Sequence, residues 1–331
     1  MPTVETRIRA AKETRTVLDG RTLRLTHLDK VYFPEDGVTK GDVLRYYATI
    51  GEVMARYLRN RPLTVVRYPG GIDDSFFYQK NRPANAPVWI PSVLLGETNF
   101  CLAQERAAVV WFANQGAIEF HPWPSRVESI DCPDWAVFDL DPAEGATFAM
   151  VRTVALAIRE LLARMGLVGF PKLSGATGLH VYVPLGGPGG FERHRRHNEG
   201  ATYGEVTDWV GFWARFLEMT FPDIVTTERP VKNRTGKIYV DHLQNQRTKT
   251  IAAPYTLRPL PGAPVSWPVT WEELETIPPR HLTPNAPAPT ITLAGIEARM
   301  AKVGDLFEPL LTTKQSLPPV PTDIGHPGPS F

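Results

Sequence analysis

The chain has 331 residues, of which 43% are hydrophobic and 21% are charged, and its formal net charge is +1. The charge excludes a globally basic nucleic-acid binder, although local basic patches remain compatible with it. Two cysteines are too few for a disulfide scaffold, and no apolar run reaches the roughly 18 residues needed to cross a membrane. With no signal peptide visible, we expect a soluble cytoplasmic protein with a sizeable core, built as one large domain or two packed modules.

Helical and strand periodicities alternate along the chain, which is typical of a mixed α/β fold. Thr39 is a typical helix N-cap with Asp42 at the third helical position, and apolar residues then recur at helical spacing to Tyr57. The same spacing predicts helices at 151–165, 206–221, 271–275 and 296–306. Strands are predicted at 62–66, 117–123, 136–141, 179–183 and 238–241.

The two ends of the chain lack these patterns. The first 20 residues are polar, and 14 of the 32 prolines lie in 261–331. We therefore expect a flexible arm at 1–20, a folded domain over 21–311 and a proline-rich tail at 312–331. The Gly-, Arg- and His-rich stretch 186–200 is predicted to be a surface loop.

The most informative stretch is the short apolar strand that ends in Phe138-Asp139-Leu140-Asp141-Pro142. Residues two apart on a strand point to the same face, so the Asp139 and Asp141 carboxylates are expected side by side. Adjacent like charges are costly unless a cation lies between them, and carboxylates favour Mg²⁺ or Mn²⁺ over zinc. The alternative is a strand-to-loop corner whose acids cap a turn.

A second pattern combines Ser174, His180 and the glycines that bracket the turn between them, Gly175 and Gly178. Glycines let the backbone approach a ligand closely, and turn amides with a hydroxyl and an imidazole suit a phosphate. A plain glycine-containing hairpin fits the pattern equally well. A third acid, Asp241, follows another short apolar strand.

Positive charge is concentrated locally despite the neutral total. Residues 1–70 hold 13 Lys and Arg against 8 Asp and Glu, and residues 225–260 hold 7 against 2. Lys30 and Lys40 each lie near the start of an element, where helix amides favour a phosphate, although both could be ordinary solvated lysines. Together with the strand-end aspartates, these charges favour two-metal nucleotidyl transfer.

The order of these motifs resembles the archaeo-eukaryotic primase superfamily and, more closely, the polymerase domain of prokaryotic DNA ligase D, over roughly residues 20–310. The matching stretches are Leu25–Val31, Val38–Asp42, Phe76–Lys80, Phe138–Pro142, Ser174–His180, Asp241–Asn245 and Ala253–Arg258.

This resemblance implies roles at matching positions. Metal ligation and catalysis are implied for Asp139, Asp141 and Asp241; nucleotide binding for Ser174, His180, Arg258, Arg234, Gln244 and His121; 5′-phosphate binding for Lys30 and Lys40; and template stacking for Phe76 and Phe77. A lone histidine at a strand end, such as His121, is otherwise more often a packed or capping residue.

The resemblance also implies an α/β (α+β) fold in which an N-terminal α/β module packs on an RRM-like catalytic sheet. The implied cofactors are two Mn²⁺ or Mg²⁺ ions, with a preference for ribonucleotides. The implied partners are DNA with 5′-phosphate ends or short gaps, NTPs or dNTPs, and Ku and a separate DNA ligase in trans, at the prokaryotic nucleoid. The sequence departs from the family at Thr177, often a lysine, and at His27, usually an asparagine.

The predicted function is template-directed nucleotide addition in non-homologous end joining. One alternative is a primase or gap-repair polymerase outside end joining, which would use the same residues. Another is a non-catalytic module that binds DNA ends and whose aspartates are structural. A nuclease would also use carboxylates and metals but would not need Arg258 or the Ser174–His180 turn.

Overall fold

A computed structural model describes residues 13–186, 200–278, 281 and 288–321. Most of the predicted arm, the loop at 187–199 and the end of the tail lie outside the described residues. The described strands are β1 (Glu13–Leu18), β2 (Arg21–Thr26), β3 (Val31–Phe33), β4 (Val38–Thr39), β5 (Leu63–Arg67), β6 (Phe77–Gln79), β7 (Ser92–Leu95), β8 (Thr98–Cys101), β9 (Ala117–Pro122), β10 (Trp135–Pro142), β11 (Phe170–Leu173), β12 (Leu179–Pro184), β13 (Val225–Thr226) and β14 (Ile238–Val240).

The described helices are α1 (Lys40–Leu58), α2 (Arg106–Asn114), α3 (Phe148–Arg164), α4 (Tyr203–Thr220), α5 (Trp271–Glu275), α6 (Ile296–Val303) and α7 (Glu308–Thr312). None of the helices that the structure describes is long and apolar enough to span a bilayer. The chain divides into two compact units. The first is drawn from Met1–Glu128, Thr250–Trp267 and Thr290–Asp305, and the second from Ser129–Lys249, Pro268–Pro289 and Leu306–Phe331.

The first unit is built around an antiparallel sheet in which β5 pairs with β6, β8 and β9, and β7 pairs with β8. Helix α1 begins as its sequence predicts, because Thr39 and Asp42 form a reciprocal capping box. The apolar face of α1 is buried, and the Tyr47 hydroxyl donates to the Ile118 carbonyl of β9 at 2.5 Å. The helix and the sheet therefore share one core.

The second unit contains a five-stranded sheet in the order β11-β12-β10-β14-β13. The β13–β14 pair is parallel and the other pairs are antiparallel. Helices α3 and α4 contact the central strand β10, where Phe138 packs edge-on against Trp209 with ring centroids 5.9 Å apart. Both units contain helices as well as sheets, which confirms the predicted α+β class.

Part of the predicted tail lies against the second unit. Leu317 is buried, and the Trp209 indole donates to the Pro318 carbonyl at 3.1 Å. The Gln315 side chain accepts from the Val168 amide at 2.7 Å and donates to the Val168 carbonyl at 3.0 Å. Residues 315–318 are thus held by side-chain contacts that a proline-rich composition does not reveal.

Candidate active site

A row of polar residues crosses three strands of the second unit. Asp139 on β10 lies opposite His180 on β12, and His180 lies opposite Lys172 on β11. Directly opposed residues share one face of a sheet, so all three side chains lie on the same face. His180 Nε2 is 3.3 Å from Asp139 Oδ1, and both residues are buried. The predicted metal ligand and the predicted phosphate ligand are therefore neighbours.

Asp241 joins this row from the other side of β10. Its backbone N–H donates to the Asp139 carbonyl at 2.9 Å, so it directly continues the pairing of β14 with β10. Its Oδ1 accepts from the Leu243 amide and the Tyr239 hydroxyl, each at 3.1 Å. Asp141 is exposed and pairs with Tyr239 at the end of β10. The sheet thus gathers the three predicted aspartates at one end.

The donor chemistry of these aspartates suits a hard divalent cation, because carboxylate oxygens are the ligands that Mg²⁺ and Mn²⁺ prefer. Within the described ranges, however, no three His, Cys, Asp or Glu side chains already form a metal-ligating group. The Asp139 carboxylate faces His180, and that of Asp241 is hydrogen-bonded to Leu243 and Tyr239. One oxygen of each of these two carboxylates therefore already contacts protein groups.

The predicted glycine-bracketed turn joins β11 to β12. Ser174 Oγ accepts from the amides of Ala176 and Gly178, each at 3.1 Å, and closes the turn. A Cβ on Gly178 would lie 2.4 Å from the Leu140 carbonyl oxygen, so only glycine fits there. Gly175 has a φ of +79°. The turn is therefore fixed directly beside the Asp139–Asp141 segment.

Arg234 is linked to Asp241 by Tyr239, whose ring contacts the arginine and whose hydroxyl contacts the aspartate. Its guanidinium carbon is 3.4 Å from the centroid of the Tyr239 ring, and its Nε donates to the Glu228 carbonyl at 3.0 Å. Burial and the neighbouring Asp241 raise the pKa of Tyr239 to about 12, so its hydroxyl remains a donor to that carboxylate. Gln244 lies in the short 3₁₀ turn His242–Asn245, directly after Asp241.

Asn245, which no prediction singled out, fixes this 3₁₀ turn to the central strand. Its side-chain amide donates to the Val137 carbonyl and accepts from the Val137 amide, both at 2.8 Å. The side chain thus takes the place of a strand residue where β14 has ended. Asn245 belongs to the Asp241–Asn245 stretch that resembles the family, but a lone asparagine in a sequence gives no sign of such a contact.

Replacing Asn245 with alanine should destabilise the protein by about 2–4 kcal/mol, because two buried backbone groups of Val137 lose their partners. Chemical denaturation measures this loss. The matched control is Asn233→Ala, since Asn233 is an exposed asparagine of the same unit. Equal denaturation midpoints for the two variants would contradict the role of Asn245.

The first unit contains a second cluster of predicted residues. Arg258 Nε lies 2.7 Å from Glu119 Oε1, and His121 Nε2 lies 3.7 Å from Glu119 Oε2. Burial alone would raise the pKa of Glu119, but His121 and Arg258 together bring that pKa below its usual range. Glu119 is therefore a carboxylate that holds two predicted nucleotide ligands, although the sequence analysis did not select it.

The two predicted 5′-phosphate lysines are adjacent in the first unit. The Lys40 amide donates to the Lys30 carbonyl at 2.7 Å, and Lys30 Nζ donates to the Pro69 carbonyl at 2.6 Å. Lys40 is only 4% exposed, so it is not an ordinary solvated lysine. Burial and the nearby charges of Lys30 and Arg67 lower the pKa of Lys40 to about 8.

The predicted template-stacking residues present aromatic rings to solvent. Phe76 and Phe77 are 53% and 45% exposed. Phe76 stacks on Tyr68 at 5.3 Å between centroids, and the Arg67 guanidinium carbon lies 5.1 Å from the centroid of Phe77. Exposed aromatic rings that are held by such contacts on one face suit stacking on unpaired bases.

Comparison with known proteins identifies the family. The model of the LigD primase-polymerase domain matches residues 39–307. The multifunctional non-homologous end joining protein LigD of Mycobacterium bovis is 37% identical over 298 residues, which cover 86% of this chain and 36% of that protein. The bifunctional LigD of Bacillus subtilis is 34% identical over 254 residues, covering 77% of this chain and 40% of that protein. The chain therefore spans about two fifths of the length of these curated relatives.

The solved structures agree with this result. The polymerase domain of Mycobacterium tuberculosis ligase D in complex with DNA matches with a TM-score of 0.77 and 33% identity, covering 88% of this chain and 99% of that one. Homologous LigD domains are DNA-repair polymerases, and polymerase domains of this family depend on metal ions. The chain belongs to the LigD primase-polymerase domain family, whose members are nucleotidyltransferases.

Proposed function

We propose that this chain adds nucleotides, preferentially ribonucleotides, to 3′ ends at DNA breaks and short gaps during non-homologous end joining. The observation that carries the proposal is the joining of Asp241, Asp139 and His180 across three adjacent strands of one sheet. The family match supports the reaction class, and the DNA-bound neighbour supports a DNA substrate.

In this proposal, Asp139, Asp141 and Asp241 hold two Mn²⁺ or Mg²⁺ ions. Such ions, when bound, activate the attacking 3′-hydroxyl and neutralise the charge on the phosphates of the incoming nucleotide. The protein's part is to present the three carboxylates from β10 and the end of β14, which are paired strands of one sheet.

The nucleotide phosphates are bound by Ser174 and His180 of the second unit, with Arg234 and Gln244. The fixed turn between β11 and β12 limits where a phosphate can lie relative to Asp139, which favours in-line attack. Arg258 and His121, both anchored on Glu119, contribute further donors to the nucleotide. Lys30 and Lys40 bind the 5′-phosphate on the far side of the gap, and Phe76 and Phe77 stack on template bases.

Ku and a separate DNA ligase are the proposed partners in trans. The curated relatives are described as multifunctional or bifunctional end-joining proteins, and this chain matches about two fifths of their length.

The test is extension of a primer by one nucleotide on gapped DNA, with ribo- and deoxyribonucleotides compared in Mn²⁺ and in Mg²⁺. We expect the ribonucleotide to be added with the higher kcat/KM in Mn²⁺. Equal use of both sugars would remove the proposed ribonucleotide preference. DNA binding without incorporation in either metal would favour the alternative of a non-catalytic end-binding module.

A further inference from the structure

Glu119 is a buried acid that joins the side chains of Arg258 and His121 in the first unit. The exposed fraction of its side chain is 7%, against 23% for Arg258 and 16% for His121. Glu119 and His121 are two residues apart on β9, so both side chains lie on the same face of that strand. A single carboxylate thus contacts both residues of the first unit that we propose as nucleotide ligands.

The backbone around Arg258 is also fixed to β9. The Phe120 amide donates to Thr256 Oγ1, and the Phe120 carbonyl accepts from the Ala253 amide, both at 2.9 Å. The Leu257 amide donates to the Tyr47 hydroxyl at 3.0 Å, which ties the same segment to α1. Both backbones are thus fixed, and the Glu119 contact helps to orient the guanidinium of Arg258.

The charge of Glu119 suits contact with Arg258 and His121 better than direct contact with a nucleotide. A carboxylate close to nucleotide phosphates would repel them, because like charges disfavour each other strongly at partly buried sites. An ion pair with 2.7 Å between Arg258 Nε and Glu119 Oε1, by contrast, orients the long and flexible arginine side chain before the ligand arrives. Glu119 is buried, and its two oxygens contact the side chains of Arg258 and His121.

We propose that Glu119 is a positioning residue for nucleotide binding, which presets Arg258 through Nε and His121 through Nε2. The inference rests on the proposed function, because Arg258 and His121 are nucleotide ligands only within it. Its consequence is that losing the charge of Glu119 weakens nucleotide binding while the chemical step is largely retained.

The test is Glu119→Gln, which keeps the shape of the side chain and removes its charge. We expect the KM for the nucleotide to rise about tenfold while kcat changes less than about threefold. In an Arg258→Ala background the same substitution should raise the KM less than it does in the wild-type protein, because one of the two groups that Glu119 positions is gone. The matched control is Glu105→Gln. Glu105 also contacts an arginine of the first unit, since its Oε1 lies 2.8 Å from Arg21 Nε. Removing the charge of Glu105 should leave the KM for the nucleotide unchanged.

A second variant and an NMR measurement test the positioning role separately from the KM of Glu119→Gln. Arg258→Lys keeps the cation but removes the Nε–H donor and should raise the KM as Glu119→Gln does. In the ¹H–¹⁵N spectrum of the whole chain, the Nε–H resonance of Arg258 should move upfield in Glu119→Gln but not in Glu105→Gln.

The outcomes separate the inference from the function on which it rests. Wild-type protein that extends primers while Glu119→Gln has an unchanged KM would overturn the positioning role and leave the proposed function standing. Equal effects of Glu119→Gln in wild-type and Arg258→Ala backgrounds would also overturn it. Wild-type protein that neither binds nor incorporates nucleotide would overturn both.

Discussion

Replacing Asp139 with alanine should reduce nucleotide incorporation on the order of 10³-fold or more, because the lost metal ligand supplies several kcal/mol of transition-state stabilisation. Affinity for gapped DNA should change little, since the proposed 5′-phosphate and template contacts are made by other residues. Single-turnover extension and an equilibrium DNA-binding assay measure the two effects separately.

Two controls make this result specific. Asp223→Ala removes an exposed aspartate of the same unit and should leave extension unchanged. Thermal unfolding should be used to check that Asp139→Ala is folded, because Asp139 lies within the buried central strand. Extension at the wild-type rate by a folded Asp139→Ala variant would remove the metal assignment.

The double substitution Lys30→Ala with Lys40→Ala should lower the preference for 5′-phosphorylated gaps by about 10- to 100-fold, since hydrogen bonds to a charged group contribute about 1.5–3 kcal/mol. The measurement is the ratio of kcat/KM on gaps with and without the phosphate. Lys302→Ala, an exposed lysine of the first unit, is the control and should not alter the ratio. An unchanged ratio in the double variant would make these lysines unrelated to end recognition.

The pKa of Lys40 adds a pH arm to this prediction. Because that pKa is lowered to about 8, Lys40 loses its charge as the pH rises through that value. The wild-type phosphate preference should therefore decline from about pH 7 to about pH 9, whereas an ordinary lysine would stay charged over that range. In the Lys30→Ala, Lys40→Ala variant the remaining preference should not follow this decline.

The sequence predicted the elements with strong local signals. The α1 capping box at Thr39 and Asp42 and the strand carrying Asp139 both form as expected, because caps and short periodicities are encoded by adjacent residues. The approach of Asp241 to Asp139 followed from motif order and resemblance. Local pattern alone could not place them together, because strand order in a sheet depends on distant pairings.

The supporting residues were not predictable in this way. Glu119 is one acid within a short strand and Asn245 one polar residue within a turn, so neither differs by local pattern from an ordinary surface residue. Their importance depends on Arg258 and Val137, which are more than a hundred residues away. Likewise, Lys40 is buried, which charge counts do not reveal.

The histidine at position 27, where the family usually has asparagine, suits the backbone conformation at that position. His27 has a φ of +55°, and its carbonyl accepts from the Lys30 amide at 3.1 Å across a tight turn. Asparagine and histidine are both enriched among residues that adopt this left-handed conformation. The substitution therefore preserves the turn that carries Lys30. At the other departure, Thr177 lies exposed at the tip of the Ser174–Gly178 turn, where side chains of different length fit.

The most direct measurement for the account is the template dependence of single-nucleotide addition on a gapped DNA with a 5′-phosphate. Each of the four ribonucleotides is offered against each template base in Mn²⁺, and the extended primer and released pyrophosphate are both quantified. We predict that only the complementary ribonucleotide is added efficiently, with one pyrophosphate released per addition. Addition that ignores the template base, or no addition to DNA that is demonstrably bound, would contradict the account.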